Sequence, residues 1–498
     1  MSAPRFAYLA DGSDIWADVA KELSSSHGMD PLLWFGHPGH TDFVRGRFGG
    51  VQFLDERKLD DGDFLRSVGR TLPRSVRDSV QVQTALVAAL DSMQRNEVHR
   101  LIPYLSRRVY LSSLCEFLWA HLHDLGITHV VAAQAPHSPS GLIFSGLTEA
   151  AGIPMLHFQH STVGPFALPR VGTNYDLLEM SDLVTGDQIA RPSLEDVRWW
   201  VDQFAEHTID RGVPEIDAKY YEVESGSRGF LGLLRQLKYT ALDLRRRSVS
   251  SSVSISPPMN GGLQRIIASV RSVRSRRERS RRLIDAHARV VSTEVLPSSF
   301  WLAMLHYEPE KSTNPDGGGN RDQLEFVRAI ARHLPEGGAL VIREHPAQFT
   351  MSKPGYAGKD PSFYQELGSI EGVIVADTRI ENWELIDRAT LAFTITGTLG
   401  LEALVAGIPV VHCGLPWYRG FPGTFYVEEL SQIDRVIARA TAHSVTPSVK
   451  EDLVAFTRER SVNAVITPGA VRFYDQMGKE WSQDVKSVAA VIAGFLRR

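Results

Sequence analysis

At 498 residues the chain is too long for one hydrophobic core, and two or three domains are expected. Hydrophobic residues make up 43% and charged residues 22%, which is ordinary globular usage and excludes wholesale disorder. The net charge of -4, from 54 Lys and Arg against 58 Asp and Glu, gives no global reason to expect a nucleic-acid partner.

Two cysteines, Cys115 and Cys413, can build neither a disulfide framework nor a Cys-rich zinc site, so a reducing, cytoplasmic compartment is expected. The first ten residues lack a basic segment leading into an apolar run, and no secretory signal is expected. No apolar stretch reaches the ~20 residues needed to cross a bilayer.

In chain order, the first strong pattern is a strand at Thr128–Ala133, a small-residue turn at Pro139–Gly141 and a helix ending at Gly152-Ile153-Pro154. A strand at Met155–Phe158 follows, and His160 comes just after it. Glycine suits the left-handed residue after a helix, and proline soon after stops the helix from continuing. The middle of the chain is different. Glu224–Arg228 and Ser248–Pro258 read as loops, and the latter is rich in Ser and Pro. Around them lie two basic helical candidates, one with Leu231, Leu234, Leu237 and Arg245–Arg247, the other with Ile266, Val270 and many arginines up to Arg282. Such a segment is either a solvated insertion or a surface for anionic lipid.

Beyond it, Phe300–Leu305, Ala339–Ile342 and Val373–Val375 read as strands, with helices at Leu324–His333 and Trp383–Arg388. The earlier pattern then returns. A strand at Leu391–Thr396, a turn at Gly397-Thr398 and a helix at Leu399–Ala406 lead through Gly407-Ile408-Pro409 to Val410–His412. Apolar positions at helical spacing predict a last helix over Asp484–Leu496. One βαβ unit in each half predicts an α/β protein of two Rossmann-like domains. The expected boundaries are 1–225 for the first domain, 226–290 for the basic insertion, 291–480 for the second domain and 481–498 for the terminal helix.

Ligands of open parallel sheets collect at the carboxyl ends of the strands. Five polar segments follow strand-like runs there. Glu344-His345-Pro346 could meet a phosphate or a sugar, with Pro346 restricting the backbone of His345. Thr396-Gly397-Thr398 opens a helix whose amides suit a phosphate, and Glu402 in its first turn could bind ribose hydroxyls. Trp417 and Tyr418 offer faces for a base or sugar, and Arg419 a cation. Glu308 and Glu310, in the run from His306 to Thr313, could accept sugar hydroxyls or act as base or nucleophile. His160 could take a proton from an attacking hydroxyl. Each of these residues also has an ordinary structural use, as a cap, a packed aromatic or an exposed acid.

Taken together and in order, His306–Pro315, Glu344-His345-Pro346, Thr396–Ala403 with Gly407–Val410, and Gly414–Tyr418 resemble the bacterial capsule and surface-polysaccharide biosynthesis family. The first half resembles it mainly through Gln159-His160, with Ser161 where several relatives have Gly. The resemblance implies a GT-B-like build of two facing domains, with a nucleotide-sugar donor, such as cytidine-monophosphate-activated Kdo, on the second. It implies phosphate contact by His345, a base at His160, and a glycan or lipid-linked glycan acceptor. It also implies no metal and no cofactor beyond the donor. A CDP-polyol phosphotransferase of the teichoic-acid type, a non-hydrolysing sugar-nucleotide epimerase and a non-catalytic assembly protein share the same parts.

Overall fold

The computed structural model describes residues 4–10, 14–60, 64, 71–96, 104–177, 191–209, 262–349, 355–445, 448–463 and 482–498. The loops at 224–228 and 248–258 and the first basic candidate, 231–247, lie outside them.

The first sheet holds β1 (Phe6–Leu9), β2 (Leu33–Gly36), β3 (Gln52–Asp55), β4 (His129–Ala132), β5 (Met155–His160), β6 (Phe166–Val171) and the short β7 (Asp176–Leu177). The second holds β8 (Phe300–Met304), β9 (Leu340–Arg343), β10 (Val373–Ala376), β11 (Ala389–Thr394), β12 (Val410–His412) and β13 (Thr424–Tyr426). β14 (Val462–Asn463) returns to the first sheet and pairs antiparallel with β6.

The second sheet is parallel throughout, in the order β10-β9-β8-β11-β12-β13. The first repeats that plan as β3-β2-β1-β4-β5, then adds β6 antiparallel at its edge. Each sheet therefore has a topological switch point, between β1 and β4 and between β8 and β11, where a doubly wound sheet opens a crevice. The two Rossmann-like domains read from the sequence are present.

The strands are short apolar runs with helices on both faces, so their side chains are buried on both sides. In the second sheet Trp301, Ala303, Leu340, Ile342 and Phe393 pack on one face, and Phe300, Leu302, Val341 and Ala392 on the other. Pro139–Gly141, expected as a turn, is instead the first turn of a helix. Ser138 caps the helix Pro139–Ala150 by accepting from Gly141 N at 3.1 Å, with Pro139 in its first turn. Gly152 and Gly407 close the two equivalent helices at φ 67° and 84°.

Two segments lie elsewhere than a linear reading of the chain suggests. The helix Gly262–Val290 packs Leu283 and Ala286 into the second-domain core beside Trp301 and Tyr364. The last helix, Ser482–Leu496, packs Val488, Ile492 and Phe495 with Phe6, Trp16 and Phe158 of the first domain. Among the described residues no helix is long and apolar enough to cross a membrane.

Candidate functional site

The site is built around the second switch point. The loop after β8 carries His306 near its start, and this ring is buried. Its Nε2 accepts from Thr396 N at 3.2 Å and lies 3.3 Å from the Thr394 hydroxyl, which joins the ends of β8 and β11. Burial, then the charge of Lys359, pushes the His306 imidazole down to about 3. It is a neutral ring whose proton sits on Nδ1, because Nε2 is an acceptor. Gln323 holds the His306 backbone from both sides, accepting from its N–H at 2.7 Å and donating to its carbonyl at 3.2 Å.

The same loop carries Glu308 and Glu310, both half-buried. Glu308 Oε1 accepts from Gln323 Nε2 at 2.9 Å, and Gln348 grips the Glu308 backbone. Glu310 Oε2 accepts from the Ser312 hydroxyl at 3.0 Å. Lys311 reaches across to Gln134 of the first domain, 3.5 Å away. This loop therefore stands between the two domains.

Next to β8, β9 ends in Arg343-Glu344-His345-Pro346. Glu344 is 1% exposed and turns inward. Its carboxylate accepts from Lys359 Nζ at 2.8 and 2.9 Å, from the Tyr364 hydroxyl at 2.7 Å and from His345 N at 2.7 Å. Lys359 Nζ also donates to His306 O at 3.0 Å. Glu344 was expected to face the ligand. It is instead a buried anchor that holds His345 and His306 in place. His345 itself is exposed, near the Tyr307 ring. Its Nδ1 accepts from Ala347 N at 3.1 Å, so the neutral ring carries its proton on Nε2. Pro346 starts the 3-10 turn that fixes this bond.

The turn after β11 is more committed than its sequence suggests. Thr396 N is bonded to His306 and Gly397 N to Thr394 Oγ1 at 2.9 Å, so these amides serve the fold rather than a ligand. The Thr396 hydroxyl donates to Ser312 O at 2.6 Å. Thr398 is exposed. At φ −61° and ψ −24° its backbone is already helical, and its hydroxyl makes no cap bond, since capping needs an extended backbone there. Glu402 is half-buried, and its Oε2 accepts from Asn382 Nδ2 at 3.2 Å. Asn382 in turn takes a bond from Arg343 at 2.7 Å.

Trp417 and Tyr418 were expected to lie against a base or sugar. Both are packed inside. Trp417 is 4% exposed and donates from Nε1 to Thr162 Oγ1 at 3.0 Å. Tyr418 is fully buried and donates to Gly397 O at 2.5 Å, supporting the turn from beneath. Arg419 donates to Asn174 O at 3.0 Å and lies over the Tyr426 ring.

Trp417 belongs to a clasp between the domains. Gln159 Nε2 donates to Leu415 O at 2.7 Å, and Arg170 bridges Gln159 Oε1 and Trp417 O at 3.0 and 2.9 Å. Tyr175, at φ 54°, donates to Asp316 at 2.6 Å. Its phenol is raised well above the usual range by burial and by Asp316, so it stays protonated. Strand alternation sets His160 on the Phe158 face of β5, opposite the Gln159 side chain that crosses the cleft. Sequence reasoning missed Lys359, Gln323, Gln348 and Tyr175. Each works through a partner distant in sequence, and no local pattern marks it.

Residues 312–443 match the family model described as capsule polysaccharide biosynthesis protein. The match runs from Ser312, part-way along the loop after β8, to just past the helix Ile433–Thr441, so it takes in His345 and the turn after β11 but not His306, Glu308 or Glu310. No curated protein matches the sequence. Among solved structures, the chain is similar to the KpsC beta Kdo 2,7 transferase of Thermosulfurimonas dismutans, at 18% identity over 42% of this chain and 66% of that one, with a TM-score of 0.24. It is also similar to the KpsC beta Kdo 2,4 transferase of the same organism, at 14% identity, 66% and 79% coverage and a TM-score of 0.28. A third similar structure is the UDP-GlcNAc 2-epimerase of Methanocaldococcus jannaschii, at 10% identity, 89% and 94% coverage and a TM-score of 0.24.

Proposed function

We propose that this chain is a glycosyltransferase of capsule or surface-polysaccharide synthesis. In this reading a nucleotide sugar binds at the β8/β11 crevice, and its sugar passes to a glycan acceptor held against the first domain. The observation that carries the reading is that one carboxyl edge bears an exposed imidazole preset as an Nε2–H donor after β9 and the exposed Thr398 hydroxyl after β11, with a loop carrying two carboxylates between them after β8. His345 and Thr398 donate to the donor phosphates, and Glu402 takes a ribose hydroxyl. Glu344, Pro346, Thr396 and Gly397 position these groups from behind.

Glu310 is the better-placed candidate for the base in this reading, because its loop spans the cleft. It takes the proton of the attacking acceptor hydroxyl. The oxygen bonds to the anomeric carbon, and the nucleotide leaves with the electron pair of the broken bond. His160, on the other face of β5, is the alternative base. Peripheral contact with an anionic membrane is proposed for the helix Gly262–Val290, whose exposed face carries Arg271, Arg274, Arg277, Arg281, Arg282 and Arg289.

A thermal-shift screen against CMP-Kdo, CDP-glycerol and UDP- and GDP-sugars tests the donor, since a ligand of the native state raises its melting temperature. Activated donors that give no shift at all would count against the reading. Glu310→Gln is expected to lower kcat by ~10²–10⁴ with donor affinity retained. If His160→Gln has that effect instead, the base is His160.

A further inference from the structure

The two sheets share a feature that neither half reveals alone. Ala10 N donates to Phe35 O at 3.0 Å between β1 and β2, just as Leu305 N donates to Arg343 O at 2.9 Å between β8 and β9. This register makes Gly36-His37-Pro38-Gly39 the counterpart of Glu344-His345-Pro346-Ala347. The local bonds agree as well. Gly39 N donates to His37 Nδ1 at 3.1 Å, and Ala347 N donates to His345 Nδ1 at 3.1 Å. His40 N donates to His37 O at 3.1 Å, and Gln348 N donates to His345 O at 2.9 Å. Both turns continue into a short 3-10 helix that begins at the proline. The next strands also correspond, with Asp55 following Leu54 on β3 as Asp377 follows Ala376 on β10.

Resting on the proposed function, we infer that His37 is an acceptor-side contact that donates from Nε2 to an oxyanion of the acceptor, a sugar carboxylate or a linker phosphate. Because Nδ1 is already an acceptor, the neutral ring holds its proton on Nε2, and the half-buried side chain stands at the carboxyl edge of its sheet. That edge faces the second domain, since Gln134 after β4 meets Lys311 and Ala135 packs with Leu415. Two strand spacings, ~10 Å, separate β2 from β4. The counterpart positions differ in what lies behind them. Gly36 has Ala10 O 2.9 Å from where a Cβ would be, so its turn is held by backbone packing, whereas Glu344 holds its own turn through Lys359.

The test uses the full chain with ¹³Cε1-labelled histidine, titrated separately with glucuronate, glycerol phosphate and CMP. His37→Asp keeps the acceptor for Gly39 N, and His37→Asn keeps it without added charge. Both assign the resonance, and thermal melts confirm that they fold. Glucuronate or glycerol phosphate is expected to shift the His37 signal, and the probe that acts identifies which oxyanion is bound. Its affinity falls at least tenfold in His37→Asp, while the CMP response at His345 is unchanged. If neither probe moves His37, or His37→Asp binds both as well as the parent, the inference is wrong and His37 is only a turn cap. If the probes move His37 and CMP leaves His345 unmoved, the oxyanion site stands and the donor assignment fails.

Discussion

Replacing Lys359 with Met removes the cation from a pair in which the two side chains are 2% and 1% exposed. The Glu344 carboxylate then keeps its bonds from the Tyr364 hydroxyl and His345 N, but loses two bonds from Lys359. The His306 carbonyl loses its Lys359 bond as well. Breaking a buried ion pair from one side costs about 3–5 kcal/mol, because an uncompensated charge is left behind. In a domain-sized transition that is a fall of ~6–20 °C in Tm. The orphaned carboxyl relieves itself by taking a proton, so the deficit is expected to shrink as the pH falls towards 5. The double variant Lys359→Met with Glu344→Leu removes both charges and is expected to recover much of the loss, because replacing a buried pair by apolar residues is often neutral. Thermal melts of the three proteins at pH 7.5 and 5 measure all of this. A single-variant deficit below ~1 kcal/mol, or one that does not change with pH, would refute the buried-anchor account.

Acid should unfold this protein early. Burial pushes His157 and His306 down to about 3 and His412 to about 4. Above pH 6.5 these rings are neutral both folded and unfolded and contribute nothing to pH dependence. As pH falls through 6.5 the unfolded chain takes up protons first, so stability drops until the folded-state values are reached. At pH 5 the loss is about 2 kcal/mol per ring, and urea midpoints that stay level from pH 8 to 5 would contradict it. Gly400→Ala would place a Cβ 2.2 Å from the Tyr418 hydroxyl oxygen, and is expected to cost ~1–3 kcal/mol by overpacking. Adding Tyr418→Phe should return part of that in a melt, while unchanged stability of Gly400→Ala alone would rule out the tight support under the turn.

The pattern of the second sheet could be read in the sequence because its strands are separated by strong stops. Gly407-Ile408-Pro409 ends one element and starts the next, and the observed β12 begins at Val410 as expected. The first three strands of the first domain went unread. They are four residues each, and no Gly-Ile-Pro stop precedes them as one precedes β5 and β12. The candidate segments read as loops after strands do follow strands, but their sequence does not say which way each side chain turns. Glu344 faces inward because Lys359 lies fifteen residues on, and Trp417 because Thr162 waits 255 residues away. Charge and aromaticity mark a residue as interesting. Only the partner decides whether its polar end meets a ligand or the protein.

The paired sheets divide their work by position along the edge. The clasp of Gln159, Arg170 and Trp417 joins β5 and β6 to the loop after β12. His37 and His345 follow β2 and β9, three strands from β5 and from β12 respectively, a lateral distance of ~14 Å in each sheet. The clasp uses main-chain carbonyls as acceptors on the second domain, so it depends on the loop's backbone path more than on its side chains. The far side displays imidazoles held by local backbone bonds, which fix the ring nitrogen that donates. Under the proposed function, joining at one end and preset donors at the other would serve a transfer between two bound partners. The two components must be held at a fixed separation, and the donors must not spend binding energy on choosing a tautomer or a rotamer.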